Sequence, residues 1–372
     1  IETIGDSAFR DCSGFNGNLN FPEILTDEYA LIINDYAFCG CTGFTGNLAL
    51  PKNVIVKQYA FRDCSGFNGQ LSLPSTLTVI NEGVFYGCSG FTGEIPLHDV
   101  TTVDKYAFYD CQSFTGSIDL NKVSSVSDYS FYNCKGLDGQ LIKSGGLSTA
   151  KQYAFYGCSN LKGELNCESF TSIEKYAFYG CSGLTGPMHF KDTLTDVEEY
   201  AFAGCSGFSN HLSFKVKGIG NLNIEQRAFQ DCTGFKDGRL TFTLTQEEKH
   251  TDFSSDAFYY YRYDYFLKIG NEAFKNTKFK DIYYLGRFEP DCDYDIGISK
   301  TKGIHTSSNY ANKTFCNYPL HSNKLSGGAI AGIVIACIVV VAAIAVLIDW
   351  LIIRNKRNKD QSEAEVEMNQ DP

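Results

Sequence analysis

Histidine is scarce in this chain, and its spacing makes no metal site. The six residues, His98, His189, His211, His250, His305 and His321, include no H-x-x-x-H or other tight ligand spacing. Only His189 and His211, one repeat apart, are placed to meet, and two ligands do not make a zinc centre. The chain also lacks G-x-S-x-G, a phosphate-binding glycine loop and C-x-x-C, the patterns that announce a serine nucleophile, a nucleotide site or a redox dithiol. Positive charge is in deficit: Lys+Arg 32 against Asp+Glu 43 leaves a net charge of −11, which argues against nucleic acid as a partner. No catalytic residue, cofactor or metal is therefore expected. The sequence opens on Ile1, not Met, and I-E-T-I-G-D-S-A-F already lies inside a repeat. We expect a fragment or processed chain without its N-terminal cap, any signal peptide having gone with it.

What the chain has in abundance is repetition. Phe9, Phe38, Phe61, Phe85, Phe108, Phe131, Phe155, Phe178, Phe202 and Phe229 are each followed three residues later by Cys, from Cys12 to Cys232. Seven of the nine intervals are 23 or 24 residues, a period in the leucine-rich-repeat range. An apolar residue sits five before each Phe (Ile33, Val56, Ile173 and their equivalents), and an apolar pair, L-x-L or similar, follows the Cys in eight copies, as at Leu48 and Leu50 or Leu71 and Leu73. Both segments alternate as strands do. Each coil should hold a short strand at L-x-L, a turn often marked by proline (Pro22, Pro51, Pro74), a second extended piece, and a tight A-F-x-x-C turn. Stacking coils at the strand spacing of roughly 4.8 Å sets Phe on Phe and Leu on Leu. The C-S-G-F-x-G segment reads as a turn, with Gly17, Gly46, Gly69 and their equivalents supplying positive φ or close approach of coils, and Asn210 standing in once.

The predicted fold is an α/β-type repeat solenoid, mostly short β-strands and tight turns, with one C-terminal transmembrane α-helix. Its parts are ten repeats over 1–240, degenerate repeats and a cap over 241–323, a juxtamembrane and transmembrane segment over 324–353, and a tail over 354–372. Ten of the fifteen Cys share one phase of the repeat; their parallel Cβ vectors suit disulfide geometry poorly, so buried reduced thiols are expected there. Cys39 falls in the slot after Phe, read as exposed, and Cys167 in a core Leu slot. Cys292 and Cys316, outside the ladder, are the disulfide candidates. Asn312-Lys313-Thr314 is a glycosylation sequon.

Gly327 to Ile348 is 22 uncharged residues, long enough as a helix to cross a hydrocarbon core of about 30 Å. Trp350 and the cations Arg354, Lys356, Arg357 and Lys359 follow it, an order that places the tail in the cytoplasm and the repeats outside, at the plasma membrane. Gly328 and Gly332 form a GxxxG that allows a weak helix-to-helix dimer.

Two stripes remain for binding. Tyrosine recurs two residues before the Phe and one after it, so Tyr106, Tyr109, Tyr129, Tyr132, Tyr153, Tyr156, Tyr176 and Tyr179 should form ladders. Stacking alone explains such repetition as readily as recognition does. The second stripe is the outward strand residues, among them Gln70, Glu94, Asp119, Glu164, His189 and His211, which vary between copies.

The unit I-x-x-Y-A-F-x-G-C-S-G-F-T-G-x-L-x-L-P-x-x-L-T-x-I resembles the BspA-like leucine-rich repeat of surface proteins from bacteria and protozoan parasites, over about residues 1–240 and partly to 320. The spacing after C-S-G-F is one residue longer than in the commoner bacterial form. The resemblance implies a cell-surface protein adhering to host cells, extracellular matrix or other microbes, through a protein or glycan ligand; it supplies no catalytic residue. A receptor or co-receptor signalling through the short tail is the alternative.

Overall fold

One repeat forms one coil, and successive coils are joined through parallel backbone pairing along two ladders. The computed structural model describes residues 2–320 except 23–29, 144–146, 218–220, 237, 246–266, 287–288, 299–300, 302, 308–309 and 311. The first ladder joins the segments five residues before each Phe: Glu2–Ile4, Leu31–Ile33 and Val54–Val56, then Val79–Ile80, Thr102–Val103 and Ser125–Val126. A six-stranded run from Thr149–Ala150 to Asp291–Cys292 follows. The second ladder joins the L-x-L segments and widens along the chain. Its strands are two residues long at Leu48–Ala49 and Ile118–Asp119, but seven at Leu184–Phe190, ten at Phe208–Lys217 and seven at Arg239–Thr245. It continues through Asp281–Tyr284 and Gly303–Thr306. An antiparallel pair, Thr314–Phe315 with Tyr318–Pro319, follows.

The A-F-x-x-C turn binds coil to coil through three backbone amides. In each coil the amide of the Phe donates to the carbonyl of the residue before the Phe in the next, as in Phe155 N to Ala177 O at 2.8 Å and Phe178 N to Ala201 O at 2.8 Å. The amides two before and two after the Phe do likewise, as in Tyr176 N to Glu199 O at 3.1 Å and Gly180 N to Ala203 O at 2.8 Å. Three donors in five residues can point one way only because the turn contains left-handed residues at two places. One is the Tyr slot, where Tyr106, Tyr129, Tyr153, Tyr176 and Tyr200 have φ between 55° and 59°; the other is the residue before the Cys, filled by Gly, Asp or Asn. A left-handed tyrosine costs about 1–2 kcal/mol, which the inter-coil hydrogen bonds and ring stacking offset.

These left-handed residues explain a correction. The expected α/β character is not found: the chain is a β-solenoid, with no α-helix among the described residues and one 3-10 turn at Thr233–Phe235. A coil of 23 or 24 residues is consumed by two extended segments and a turn whose φ angles change sign twice, which no run of right-handed helix survives. The expected transmembrane helix and the plasma-membrane placement built on it are also not upheld. Among the described residues no helix is long and apolar enough to cross a membrane. The apolar run and its flanking Trp350 and cations measure apolarity, length and charge order but not helicity. Gly327–Ile348, with Gly328, Gly332 and the tail, lies outside the described residues.

Beside the buried Ile and Val of the first ladder, such as Ile33, Val103 and Ile173, the core has three further aromatic and aliphatic columns. The Phe of A-F-x-x-C stack from Phe9 through Phe38 to Phe229 and on to Phe274, with ring centroids 5.2–6.0 Å apart. The L-x-L residues form the second. The third was read from sequence only as part of a turn: the residue three after the Cys is fully buried at Phe67, Phe91, Phe114, Leu137, Leu161, Leu184 and Phe208, while Phe15 in the first described coil is exposed. Its signal was present, since that position is always apolar.

The cysteine ladder is reduced and, from Cys41 to Cys232, buried, and it also makes hydrogen bonds. Cys64, Cys111 and Cys181 Sγ donate to the carbonyl oxygens of Phe38, Phe85 and Phe155 in the preceding coil, each at 3.0 Å. That same carbonyl accepts the amide of its own coil's Cys, for example Cys181 N to Phe178 O at 3.1 Å. A small side chain with a weak donor meets both demands of the slot. Cys39, read as exposed, is buried with 6% of its surface accessible; burial pushes its thiol up, opposed by the nearby Arg10 and Arg62 guanidinium groups.

Glycine is required where coils approach closest. A Cβ on Gly183 would lie 2.4 Å from Leu161 O and 2.9 Å from Ser159 O, whereas one on Gly14, in the first described coil, meets nothing within 4 Å. Gly183→Ala should therefore destabilise by about 1–3 kcal/mol and Gly14→Ala by less than about 0.5 kcal/mol, measured by denaturant unfolding. Removing one ring of the column, Phe178→Ala, should cost about 3–5 kcal/mol.

Burial also sets a pH limit. The thiols of Cys158 and Cys167 are pushed up to about 12 from 9.0, desolvation being the main cause. The folded chain thus holds protons that the unfolded chain releases above pH 9, so stability is fully present below that pH and falls as pH rises toward 12. The melting temperature should be flat between pH 7 and 8.5 and drop steeply above pH 9. Replacing Cys158 by Ala should make the drop shallower.

Candidate functional site

The tyrosine pattern becomes a double ladder. Tyr86, Tyr109, Tyr132, Tyr156 and Tyr179, one residue after the Phe, stack with centroids 4.5–4.8 Å apart and planes within 6°. Tyr106, Tyr129, Tyr153, Tyr176 and Tyr200, two residues before it, form a parallel column with centroids 4.6–5.0 Å apart. Rings of the two columns meet obliquely: Tyr106 and Tyr109 at 5.8 Å, Tyr153 and Tyr156 at 5.6 Å, Tyr176 and Tyr179 at 5.6 Å. All eight tyrosines singled out from sequence share this one surface, each half-buried. Where Gly83 replaces the tyrosine, the Tyr59 ring occupies the space its side chain would need, and Tyr59 Oη donates to Glu82 at 2.6 Å.

An arginine caps one end of each stack. Arg62, in the slot before Tyr86, lies 4.7 Å over that ring. Arg227, in the slot after Tyr200, lies 5.7 Å over that one and donates to its hydroxyl. Since every ring inside the stacks is covered by another ring, the interior of the double ladder offers edges and hydroxyls rather than open aromatic faces. Burial raises the phenol of Tyr109 to about 12 and raises those of Tyr129, Tyr153, Tyr156 and Tyr176. At neutral pH these five are uncharged hydrogen-bonding groups on a rigid frame. They can position a ligand but offer no nucleophile or base.

The second stripe runs along the outer face of the L-x-L ladder. His189 Nδ1 and Ser213 Oγ are hydrogen-bonded at 2.6 Å, and Ser213, Thr241, Tyr283 and His305 continue the same row across the widened sheet. His211 lies on the strand beside His189, its pKa lowered by burial first, then by Arg239 and His189. The two histidines are thus brought close, but no group of three metal-ligating side chains exists among the described residues.

At the C-terminal end Cys292 and Cys316 are joined by a disulfide with Cα atoms 5.4 Å apart. Beside it Glu289 accepts hydrogen bonds from Tyr310 Oη, Asn312 Nδ2 and the Cys316 amide. The sequence pattern did not show Glu289, because its role depends on residues 21 to 27 positions away. Asn312, the sequon residue, is exposed with its amide on Glu289 at 2.8 Å. A pocket of about 190 Å³ lies nearby between Glu272, Lys275, Asp295 and Tyr318. The Arg227 and Lys275 cations are bonded to Glu272, and Tyr318 to Asp295, so its charges are already paired.

Two solved structures are similar to this chain at low identity. A leucine-rich repeat protein from Bacteroides ovatus is 19% identical, over 76% of this chain and 82% of its own, with a TM-score of 0.37. A leucine rich cell surface protein from Faecalibacterium prausnitzii is 18% identical, over 73% of this chain and 88% of its own, with a TM-score of 0.33. No curated protein matches. The BspA type leucine rich repeat region matches in six copies over residues 1–89, 31–162 and 148–280. With most of its length made of these repeats, the chain belongs to the BspA type leucine-rich repeat family.

Proposed function

We propose that this chain is an adhesive protein that binds a protein or glycan ligand on host cells, extracellular matrix or other microbes through the side of its solenoid. The observation that carries this reading is the double tyrosine ladder. Ten phenols in two columns are held on a frame whose every coil is hydrogen-bonded to the next, and tyrosine gives large contact area at small conformational cost. A surface that repeats every coil suits many weak contacts whose sum is set by avidity. Because stacking covers the ring faces, contact falls to hydroxyls and ring edges, which favours a polar ligand over an apolar one. The leucine-rich repeat architecture and the absence of a catalytic constellation in the sequence support binding over catalysis.

Beads coated with the purified chain should attach to host cells or matrix-coated plates. Replacing Tyr109, Tyr132 and Tyr156 together by Phe keeps the rings and removes the hydroxyls. This variant should melt within about 2 °C of the parent, since the stacked area is unchanged, and attach several-fold less. Attachment unchanged in the Phe variant would remove the ladder from the binding surface, and no attachment by the parent would remove the adhesive reading.

A further inference from the structure

We propose that the outer face of the widened sheet, centred on Lys215 and Arg239, binds an anionic polysaccharide. This deepens the adhesive reading and rests on it, by naming a ligand class and a second face.

The charge of the outward strand positions reverses along the solenoid. In earlier coils they include Glu94, Asp119 and Glu164; from the seven-residue strand onward they include His189, His211, Lys215 and Arg239, all exposed. On a chain of net charge −11 this is a local inversion. Asp281 is the sole carboxylate in the sequences of the described strands Leu184–Phe190, Phe208–Lys217, Arg239–Thr245, Asp281–Tyr284 and Gly303–Thr306, and it already faces His305 at 3.4 Å. Several lysines elsewhere are neutralised across coils: Lys122 by Asp99, Lys151 by Glu174, Lys175 by Glu199 and Lys191 by Glu168, at 2.5–2.8 Å. Lys215 and Arg239 form no ion pair with any carboxylate among the described residues. Arg239 stands opposite Asp281 in register, yet its guanidinium lies 5.4 Å over the Tyr283 ring instead. Tyr283 in turn stacks on His305 at 4.7 Å. The lowered pKa of His211, caused partly by Arg239, agrees with a positive local field.

The shape of the face selects the ligand class. It is the broad side of a parallel sheet, so a ligand lying along it makes several contacts. Cations adjacent to the Thr241 and Ser213 hydroxyls and to the Tyr283–His305 ring pair suit a polymer carrying both acidic groups and sugar hydroxyls. Sulfate or carboxylate groups would meet Lys215 and Arg239 by charge-assisted hydrogen bonds. Nucleic acid meets the same cations but is opposed by the strongly acidic remainder of the chain.

The test is binding of the purified chain, by biolayer interferometry, to a heparin-derived octasaccharide, to the same octasaccharide after complete desulfation, and to duplex DNA of matched charge. The parent should bind the sulfated octasaccharide best. The double variant Lys215→Gln/Arg239→Gln should lose about tenfold or more, and its salt dependence should flatten by about one to two contacts. Lys122→Gln/Lys151→Gln should bind as the parent. The two side chains are exposed, so an unchanged melting temperature verifies folding of the double variant. Absence of octasaccharide binding, equal binding by the double variant, or equal binding of DNA would overturn the inference. Beads that attach to cells with parent and double variant alike, while no octasaccharide binds, would overturn it and leave the adhesive reading in place. Octasaccharide binding lost in the double variant upholds it even where beads fail to attach to the cells chosen.

Discussion

The close approach of successive coils at the A-F-x-x-C turn is the constraint on which the other features depend. Five residues supply three amides to the next coil, and the Phe carbonyl accepts both its own Cys amide and the next coil's thiol. Distances of this kind leave no room for a Cβ at Gly183 or Gly207, where a methyl would stand 2.4 Å from a carbonyl oxygen of the neighbouring coil. They also hold the Phe rings in one column. Strands two residues long would not persist alone; here the turn keeps them in register, and most of the stabilisation comes from burial between neighbours, as expected for a one-dimensional array.

The same constraint organises the surface. A side chain that leaves the turn outward must meet its equivalent one coil away, so the residue there has to pack against itself. Tyrosine satisfies that requirement: its rings stack, while its hydroxyl remains available at the rim. The arginines at the ends of the columns, Arg62 and Arg227, act where a ring would otherwise present a bare face. Outward positions on the widened sheet carry no such requirement, because their strands are joined through backbone. That face accordingly varies, from Glu94 and Asp119 to Lys215 and Arg239, and variation free of a packing demand is where specificity can be written.

The C-terminal region ends the array by other means. Thr277 occupies the Cys slot and its hydroxyl donates to the Phe274 carbonyl of its own coil at 2.5 Å, where the cysteines of earlier coils reach the preceding one. The disulfide between Cys292 and Cys316 and the Glu289 hydrogen bonds then hold the last described coil and the short antiparallel pair together. Local links replace stacking at the point where no further Phe and Cys are supplied.

Much of this was legible in the order of residues, because periodicity is a one-dimensional property. The 23- or 24-residue period, the Phe and Leu columns, the reduced cysteine ladder and the two tyrosine columns follow from which residues recur at which spacing, given that identical side chains stack in a solenoid. What recurrence does not carry is direction. It showed neither that the C-S-G-F aromatic turns into the core, nor that the tyrosine backbone is left-handed and so excludes helix, nor that Cys39 is covered by its neighbours. The apolar run near the C-terminus marked length and apolarity without establishing a helix. The positive face around Lys215 and Arg239 was hidden for the same reason: the two are 24 residues apart in the chain and share a face only because their strands pair, Arg239 opposite His211 and Lys215 opposite Thr243. Sequence alone determined what repeats; tertiary structure decided which way each repeated side chain points, because that depends on backbone angles that only the neighbouring coil enforces.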